Sequence, residues 1–268
     1  MKIGIYSNAE LVKHGSILKS IRKALGDRGL PYEETTDSER LPACDVLIVI
    51  GGDGTILHAA VKAGKSGAKI LGVNAGNLGF LTQFEGDQAE AVADILSAPF
   101  ETEKRTILEA ECGGEKACAL NDVLLQRKYT RGADNNVVSV EAEIGGEKVD
   151  RFTGDGIIVS TPTGSTAYSL AAGGSILTPD LPAFILTPVC AHSLHNRPIV
   201  FSDEKTIAFT RDSADESGLS LFCDGIFVRE VERGEKVTVR KAPYGVEFVR
   251  CGKSFFDKLL YKLNKWSR

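Results

Sequence analysis

The sequence predicts an α/β N-terminal domain followed by a mainly β C-terminal domain, with an amphipathic helix closing the chain. Three observations predict this. Strand-like and helix-like stretches alternate up to about residue 100, as in a mostly parallel sheet covered by helices. After Pro99, alternating or β-branched runs follow one another at short intervals between Gly, Asn and Asp turns. From Phe255 onward apolar side chains return to helical spacing. The domains expected are 1–100 and 101–245, with 246–268 as the closing segment.

Residues 2–6 read as the first strand. Leu11, Ile17, Leu18, Ile21 and Leu25 then recur at helical spacing, and Gly26 and Gly29 follow as stop signals before a turn at Pro31. The apolar run 46–50 reads as a buried strand, 55–63 as a helix, 69–73 as a strand and 88–96 as a helix. In the second domain 136–144, 157–161, 206–210, 219–223 and 236–240 read as strands, with turns at Gly113-Gly114, Gly145-Gly146 and Asp224-Gly225. Residues 165–172 read as a short helix, and 184–188 stays open between strand and helix. In the tail Phe255, Phe256, Leu259, Leu260, Leu263 and Trp266 fall along one side and Lys258, Lys262 and Lys265 on the other. The apolar side is expected to pack on a domain or a neighbouring subunit, with a membrane-surface role as the alternative.

Composition narrows the function classes. Over 268 residues, 43% are apolar and 25% charged, the balance of an ordinary globular protein. A net charge of −4 gives no general reason to bind nucleic acid or an acidic membrane, so an anionic ligand would need local compensation. The opening MKIGIYSN has no signal-peptide core, and apolar runs such as 45–50 fall far short of the roughly 20 residues of a spanning helix. The six cysteines are scattered without a C-x-x-C pair and read as buried free thiols in a reducing cytosol, not as a metal site.

Two segments carry chemistry. In Val49-Ile50-Gly51-Gly52-Asp53-Gly54-Thr55-Ile56-Leu57 a glycine-rich turn follows a buried strand and opens a helix. Glycines let the backbone approach an anionic oxygen, and free N–H groups at the helix start point toward it. The pattern is neither the dinucleotide fingerprint nor a phosphate-binding P-loop, whose lysine it lacks. It adds Asp53, a carboxylate beside the expected phosphates, which suits accepting a hydroxyl proton or holding Mg²⁺. The plainer alternative is that Asp53 caps the following helix. The second segment, 153–174, brackets a strand with Asp155 before it and the run Thr161-Pro162-Thr163-Gly164-Ser165-Thr166-Ala167-Tyr168-Ser169-Leu170-Ala171-Ala172-Gly173-Gly174 after it. Thr163, Ser165 and Thr166 can donate to ribose or phosphate oxygens, and Tyr168 can stack on a purine. A capped, purely structural turn is the alternative.

These segments resemble those of NAD kinases over nearly the whole chain. The resemblance rests on 51–55, on Asn77-Leu78-Gly79-Phe80-Leu81, on Leu120-Asn121-Asp122-Val123, on 155–174, on His192-Ser193 with Arg197-Pro198, and on Asp224-Gly225. The first of these is shared with diacylglycerol, sphingosine and phosphofructokinase relatives, whereas the run after Thr161 is far more specific.

The resemblance implies an α/β domain, a C-terminal β-sandwich domain, an active site in the cleft between them, and a C-terminal segment returning to the first domain. It implies phosphorylation of the 2′-hydroxyl of the adenosine ribose of NAD by ATP, other nucleoside triphosphates or polyphosphate, with Mg²⁺ accompanying ATP and no metal ligand assigned. Asp53 would be catalytic, with Gly54, His58 and Phe80 beside the nucleotide. Asn121 and Asp122 would grip ribose hydroxyls. Asp155 and the turn Thr166, Ala167, Tyr168, Ser169, Leu170 and Ala171 would hold the other end of the dinucleotide, with Thr163, Ala167 and Tyr168 near adenine. Asp224 is a weaker candidate for substrate or metal contact, and His192 is divided between a role and an ordinary turn histidine. A cytoplasmic homodimer or homotetramer, without membrane or nucleic-acid partner, is implied as well.

Three positions depart from the family pattern: Asp122 where many relatives carry Glu, Thr153 where a basic residue is frequent, and Ala191 in place of a proline. They bear on substrate preference. Two rival readings are a lipid kinase, which would need an apolar slot in place of the hydroxyl-rich turn, and a non-catalytic NAD-binding regulator, which Asp53 argues against.

Overall fold

The computed structural model describes residues 1–7, 12–76, 79–128, 137–192, 197–211 and 218–266. The chain divides into two compact units, Met1–Arg105 with Tyr244–Arg268, and Thr106–Pro243.

The first unit is built from β1 (Ile3–Ser7), α1 (Val12–Asp27), β2 (Tyr32–Thr35), β3 (Val46–Gly51), α2 (Asp53–Ser66), β4 (Lys69–Asn74), β5 (Phe84–Glu85) and α3 (Ala89–Leu96). Its strands run parallel in the order β2-β1-β3-β4, with β5 beside β4. Every residue of β3 is buried, which is why its sequence is apolar without alternation: helices cover both faces of a parallel sheet. Ile3, Ile5, Ile48 and Ile50 pack with Ile21 and Leu25 of α1 and with Val92 and Leu96 of α3.

Helix α1 runs through Gly26 to Asp27, so the expected stop is displaced. The turn closes one residue pair later, where Leu30 donates to the Leu25 carbonyl at 3.0 Å and Gly29 takes φ +64°. Strand β2 was not expected from its half-exposed Tyr-Glu-Glu-Thr sequence; it forms because β1 offers a parallel partner, Ile3 opposite Tyr32. Leu11, the expected first apolar position of α1, lies outside the described residues.

The second unit contains β6 (Thr102–Cys112), β7 (Glu115–Ala119), β8 (Asp122–Lys128), β9 (Val138–Ile144), β10 (Glu147–Gly154), β11 (Gly156–Ser160), α4 (Tyr168–Ala171), β12 (Ala183–Val189), β13 (Ile199–Ser202), β14 (Ile207–Arg211), β15 (Gly218–Cys223), β16 (Ile226–Val231) and the start of β17 (Lys236–Val249). One sheet runs β10-β9-β14-β17, with β6 on β17 and β7 on β6; the other runs β13-β12-β11-β8-β15-β16. Inward residues of both sheets, among them Val140, Phe209 and Val239 against Val159, Phe184 and Leu221, form one core, as in a β-sandwich. The strict in-out alternation of β9 is the sequence trace of that packing. Residues 184–188 resolve as strand because β12 lies between β11 and β13. Asn136, the expected start of β9, lies outside the described residues.

The chain enters the second unit through β6 and leaves it through β17, whose Phe248 pairs with Ile70 of β4. The closing helix α5 (Phe255–Trp266) then belongs to the first unit. Part of its apolar side packs as expected, the Phe255 ring centre lying 6.1 Å from that of Phe80, but a lysine turns inward as well. Among the described side chains of α5, Lys258 is buried, 8% exposed, while Phe256 and Leu260 are 64% and 62% exposed. The lysine goes inward because backbone carbonyls there accept its ammonium, a partner that apolar periodicity does not reveal. The side chains of Leu263, Lys265 and Trp266 lie outside the described residues. Of the free cysteines, Cys112 and Cys223 are buried, whereas Cys190 is exposed, contrary to the uniform burial expected.

Candidate active site

Strand β3 ends at Gly51, Gly52 occupies the N-cap position of α2 in extended conformation (φ −95°, ψ −174°), and Asp53 is the first helical residue. Gly52, not Asp53, is the N-cap residue of α2, and Asp53 is the acid of its first turn. Its carboxylate reaches to a loop 27 and 28 residues downstream: the Phe80 N–H donates to Oδ2 and the Leu81 N–H to Oδ1, each at 2.9 Å. Gly79 permits this approach, since a Cβ there would overlap the Asp53 carboxylate. Gly54 and His58 are exposed on α2, and Phe80 is half-buried. Asn77 and Leu78 lie outside the described residues.

Helix α5 completes this arrangement. Lys258 Nζ donates to the carbonyls of Phe80 at 3.1 Å and Thr82 at 2.7 Å. Burial, aided by the nearby Arg105 guanidinium, holds the Lys258 pKa below that of an ordinary lysine. One turn later, Lys262 Nζ lies 3.9 Å from Asp53 Oδ2 and 4.2 Å from the centre of the Phe80 ring. Neither lysine was singled out from sequence, where their spacing read as a solvent-facing side.

In the second unit a separate cluster is organised around Asp224. It takes a left-handed backbone (φ 49°) in the turn between β15 and β16. Its carboxylate accepts the N–H groups of Leu120 at 2.7 Å, Asn121 at 2.8 Å and Asp122 at 3.1 Å. In return Asp224 N–H donates to the Asp122 carbonyl at 3.0 Å. The other face of this bend meets the hydroxyl-rich turn: Thr161 N–H donates to the Asn121 carbonyl at 2.9 Å and Thr161 Oγ1 to the Leu120 carbonyl at 2.6 Å. Gly164 lies so close to the Asn121 backbone that no Cβ fits. Asn121, Asp122, Asp224 and the 161–171 segment are thus brought together.

The Asp122 side chain ends up only 7% exposed and accepts no hydrogen bond among the described residues. Burial, with the Asp224 charge second, pushes its pKa up to about 7. Asp155 is tied elsewhere, its Oδ1 2.9 Å from Arg127 Nε; nothing in the local sequence marked Arg127, which arrives by the pairing of β8 with β11.

The hydroxyl-rich run is largely spent on its own folding, which corrects the expectation that Ser165 faces a ligand. Ser165 Oγ is buried, donating to the Pro162 carbonyl at 2.6 Å and accepting the Leu177 N–H at 3.0 Å. Ser169 Oγ is likewise buried against Thr187 Oγ1 at 2.9 Å. Thr166 Oγ1 donates to the Thr163 carbonyl at 3.3 Å, and Thr163 is itself buried. Tyr168, 39% exposed, and Ala171 present the open side of α4, with Ala167 and Leu170 half-buried. His192 is exposed and bound by its N–H to the Thr153 carbonyl at 2.9 Å; Ser193 lies outside the described residues.

A glycine turn bearing a fixed acid at the carboxyl end of a parallel strand is the arrangement of a phosphate-handling enzyme of the kinase class. Comparison with known proteins makes the assignment specific. Residues 10–103 match the model for the ATP-NAD kinase N-terminal domain, and residues 120–251 that for the ATP-NAD kinase C-terminal domain. An NAD kinase of Desulforamulus reducens is 39% identical over 246 residues, covering 89% of this chain and 83% of that protein. One of Caldicellulosiruptor bescii is 34% identical, covering 97% and 98%. Among solved structures, an NAD kinase from Archaeoglobus fulgidus in complex with ATP superposes with a TM-score of 0.81 at 27% identity, covering 98% of this chain and 99% of that one. Yeast NADH kinase complexed with NADH shares the fold, with a TM-score of 0.84 at 24% identity over 99% and 87%. The chain belongs to the NAD kinase family. It is an enzyme that phosphorylates NAD with ATP to give NADP.

Proposed function

We propose that Asp53 orients the 2′-hydroxyl of the NAD adenosine ribose and receives its proton. As the bond from the 2′-oxygen to the γ-phosphorus of ATP forms, the bond from that phosphorus to the β,γ-bridging oxygen breaks, and ADP leaves. Positioning and charge neutralisation supply most of the acceleration in such a transfer. The observation that carries this reading is the pinning of both Asp53 oxygens by the Phe80 and Leu81 amides, which fixes the carboxylate beside the open Gly52 and Gly54 backbone. An acid held only for stability would have no need to stand in a turn so bare of side chains.

In the same reading Asn121 and Asp122 hold ribose hydroxyls, with Asp122 accepting two of them, and Thr163, Ala167 and Tyr168 line the adenine. The remaining turn residues, Thr166 and 169–171, with Asp155 and Phe80, shape the substrate's surroundings through backbone and packing. Mg²⁺ enters as part of the ATP substrate. Assembly as a homodimer or homotetramer and a cytoplasmic location rest on the family resemblance. No helix of the described residues is long and apolar enough to cross a membrane.

The test is to incubate the purified protein with NAD, Mg²⁺ and either ATP or polyphosphate and to read out NADP enzymatically. Asp53→Asn is expected to keep its melting temperature and to lose at least about 100-fold in turnover. Near-normal turnover in that variant would remove Asp53 from this role.

A further inference from the structure

The glycine turn lacks the lysine with which a P-loop meets its phosphates, yet a cation does stand beside Asp53. Among the described residues Lys262 is the one ammonium or guanidinium within ion-pair distance of that carboxylate. It comes from α5, nearly 210 residues downstream of the turn it faces.

The two lysines of α5 that face this loop differ in what they do with their donors. Lys258 is buried and spends its ammonium on the Phe80 and Thr82 carbonyls, which are structural duties. Lys262 makes no hydrogen bond among the described residues. Its Nζ is 3.9 Å from Asp53 Oδ2, too long for one, and otherwise rests over the Phe80 ring at 4.2 Å. Asp53 does not need Lys262 to be held, since both its oxygens already accept amides at 2.9 Å. The side chain is about one-fifth exposed, so its charge is partly desolvated while its donors remain open to an incoming anion. An ammonium held over an aromatic face, with no hydrogen bond among the described residues, is suited to meet phosphate as a point charge.

We propose that Lys262 is a further catalytic residue of this enzyme, donating to the oxygens of the transferring phosphoryl group beside Asp53. This rests on the assignment of Asp53 to the transfer. The charge on the phosphoryl oxygens is spread most widely as the bond to the leaving diphosphate breaks and the bond to the ribose oxygen forms, and a fixed cation there lowers the barrier. The lysine also keeps the Asp53 carboxylate and the triphosphate from facing each other as uncompensated like charges.

The experiment compares wild-type, Lys262→Met and Lys262→Arg at saturating NAD and MgATP, with melting temperature measured on each. Lys262→Met keeps an unbranched side chain of similar length and removes the charge, with its cation–π contact to Phe80. It is expected to melt with wild-type and to lose roughly 100-fold in kcat, the scale of one lost transition-state donor, while KM for NAD changes less than about threefold. Lys262→Arg, which restores a donor cation, is expected to recover most of the loss. Turnover of Lys262→Met within about twofold of wild-type would overturn the proposal, as would a Lys262→Arg variant as slow as the methionine one, since then shape and not charge is what matters. Failure of Asp53→Asn to slow the enzyme would instead strike at the role of Asp53, so the two outcomes are read separately.

Discussion

Asp224 holds Asp122 by its backbone and opposes it by its charge. It accepts the Asp122 N–H at 3.1 Å, donates to the Asp122 carbonyl at 3.0 Å, and together with burial raises the Asp122 carboxyl pKa to about 7. The bend that carries Asp122 is thus fixed firmly while its side chain is kept from ionising easily. In the proposed reading, a ribose placed against this acid would supply the hydrogen bonds that the described residues do not.

The consequence for pH can be worked out in sign. The folded pKa of Asp122 lies above the unfolded value of 3.8, so its contribution to stability is fully present below that value and is lost as pH rises through about 7. Relative to Asp122→Asn, wild-type should therefore lose on the order of a few kcal/mol between pH 4 and pH 8. Ligand binding runs the other way, because the ionised form is the better acceptor. The dissociation constant for NAD, measured by calorimetry without ATP, should tighten by up to about tenfold from pH 6 to pH 8 in wild-type and stay flat in Asp122→Asn. A flat profile in wild-type would deny Asp122 its proposed contact with ribose.

Asp224 lends itself to a second test, because its duties can be separated. Asp224→Ala leaves three N–H groups without their acceptor and puts a Cβ-bearing residue with no compensating side chain at φ 49°. A loss of about 2–4 kcal/mol in urea unfolding is expected from the unsatisfied donors, allowing for partial access of water. Asp224→Asn keeps an acceptor oxygen and tolerates the left-handed backbone, so it should lose less. It also removes the neighbouring charge, and should shift the pH profile of NAD binding to lower pH. Equal stability of the alanine variant and wild-type would mean that the bend holds itself.

How much of this was legible depends on distance along the chain. Asp53 could be read because strand, glycines and helix are adjacent in sequence. Its partners, the Phe80 and Leu81 amides, could not, because only the packing of α2 against the loop after β4 brings them near. The Asp224-Gly225 turn was readable as a turn, but its hold on amides 102 to 104 residues away depends on β15 pairing with β8. The Ser165 hydroxyl was equally visible and was read as a donor to a ligand, and Ser169 was placed in the binding turn. Composition shows that a hydroxyl is present and not whether Leu177 or Thr187 will claim it. In helix α5 the inward Lys258 was hidden for the same reason: periodicity separates an apolar side from a lysine side, but only the packed fold brings the Phe80 and Thr82 carbonyls to accept its ammonium.

The closest approach in the first unit supplies the last prediction. The Asp53 carboxylate occupies the space that a side chain at residue 79 would need. Gly79→Ala must therefore push the carboxylate aside or move the loop, and either breaks the two 2.9 Å hydrogen bonds from Phe80 and Leu81. Gly79 does not occupy a left-handed conformation, so the methyl group adds no backbone strain and even restricts the unfolded chain slightly. Stability should accordingly fall by only about 1–3 kcal/mol, the cost of leaving part-buried donors unmade. Turnover should fall far more, roughly 100-fold, because a displacement of about 1 Å at a positioned catalytic group is enough for that. KM for NAD should change less than kcat, because the contacts assigned to its ribose and adenine lie at Asn121, Asp122, Thr163, Ala167 and Tyr168. Stopped-flow turnover and thermal melts on the one variant separate the two effects, and a Gly79→Ala enzyme with near-normal kcat would show that the pinned geometry of Asp53 is dispensable for the transfer.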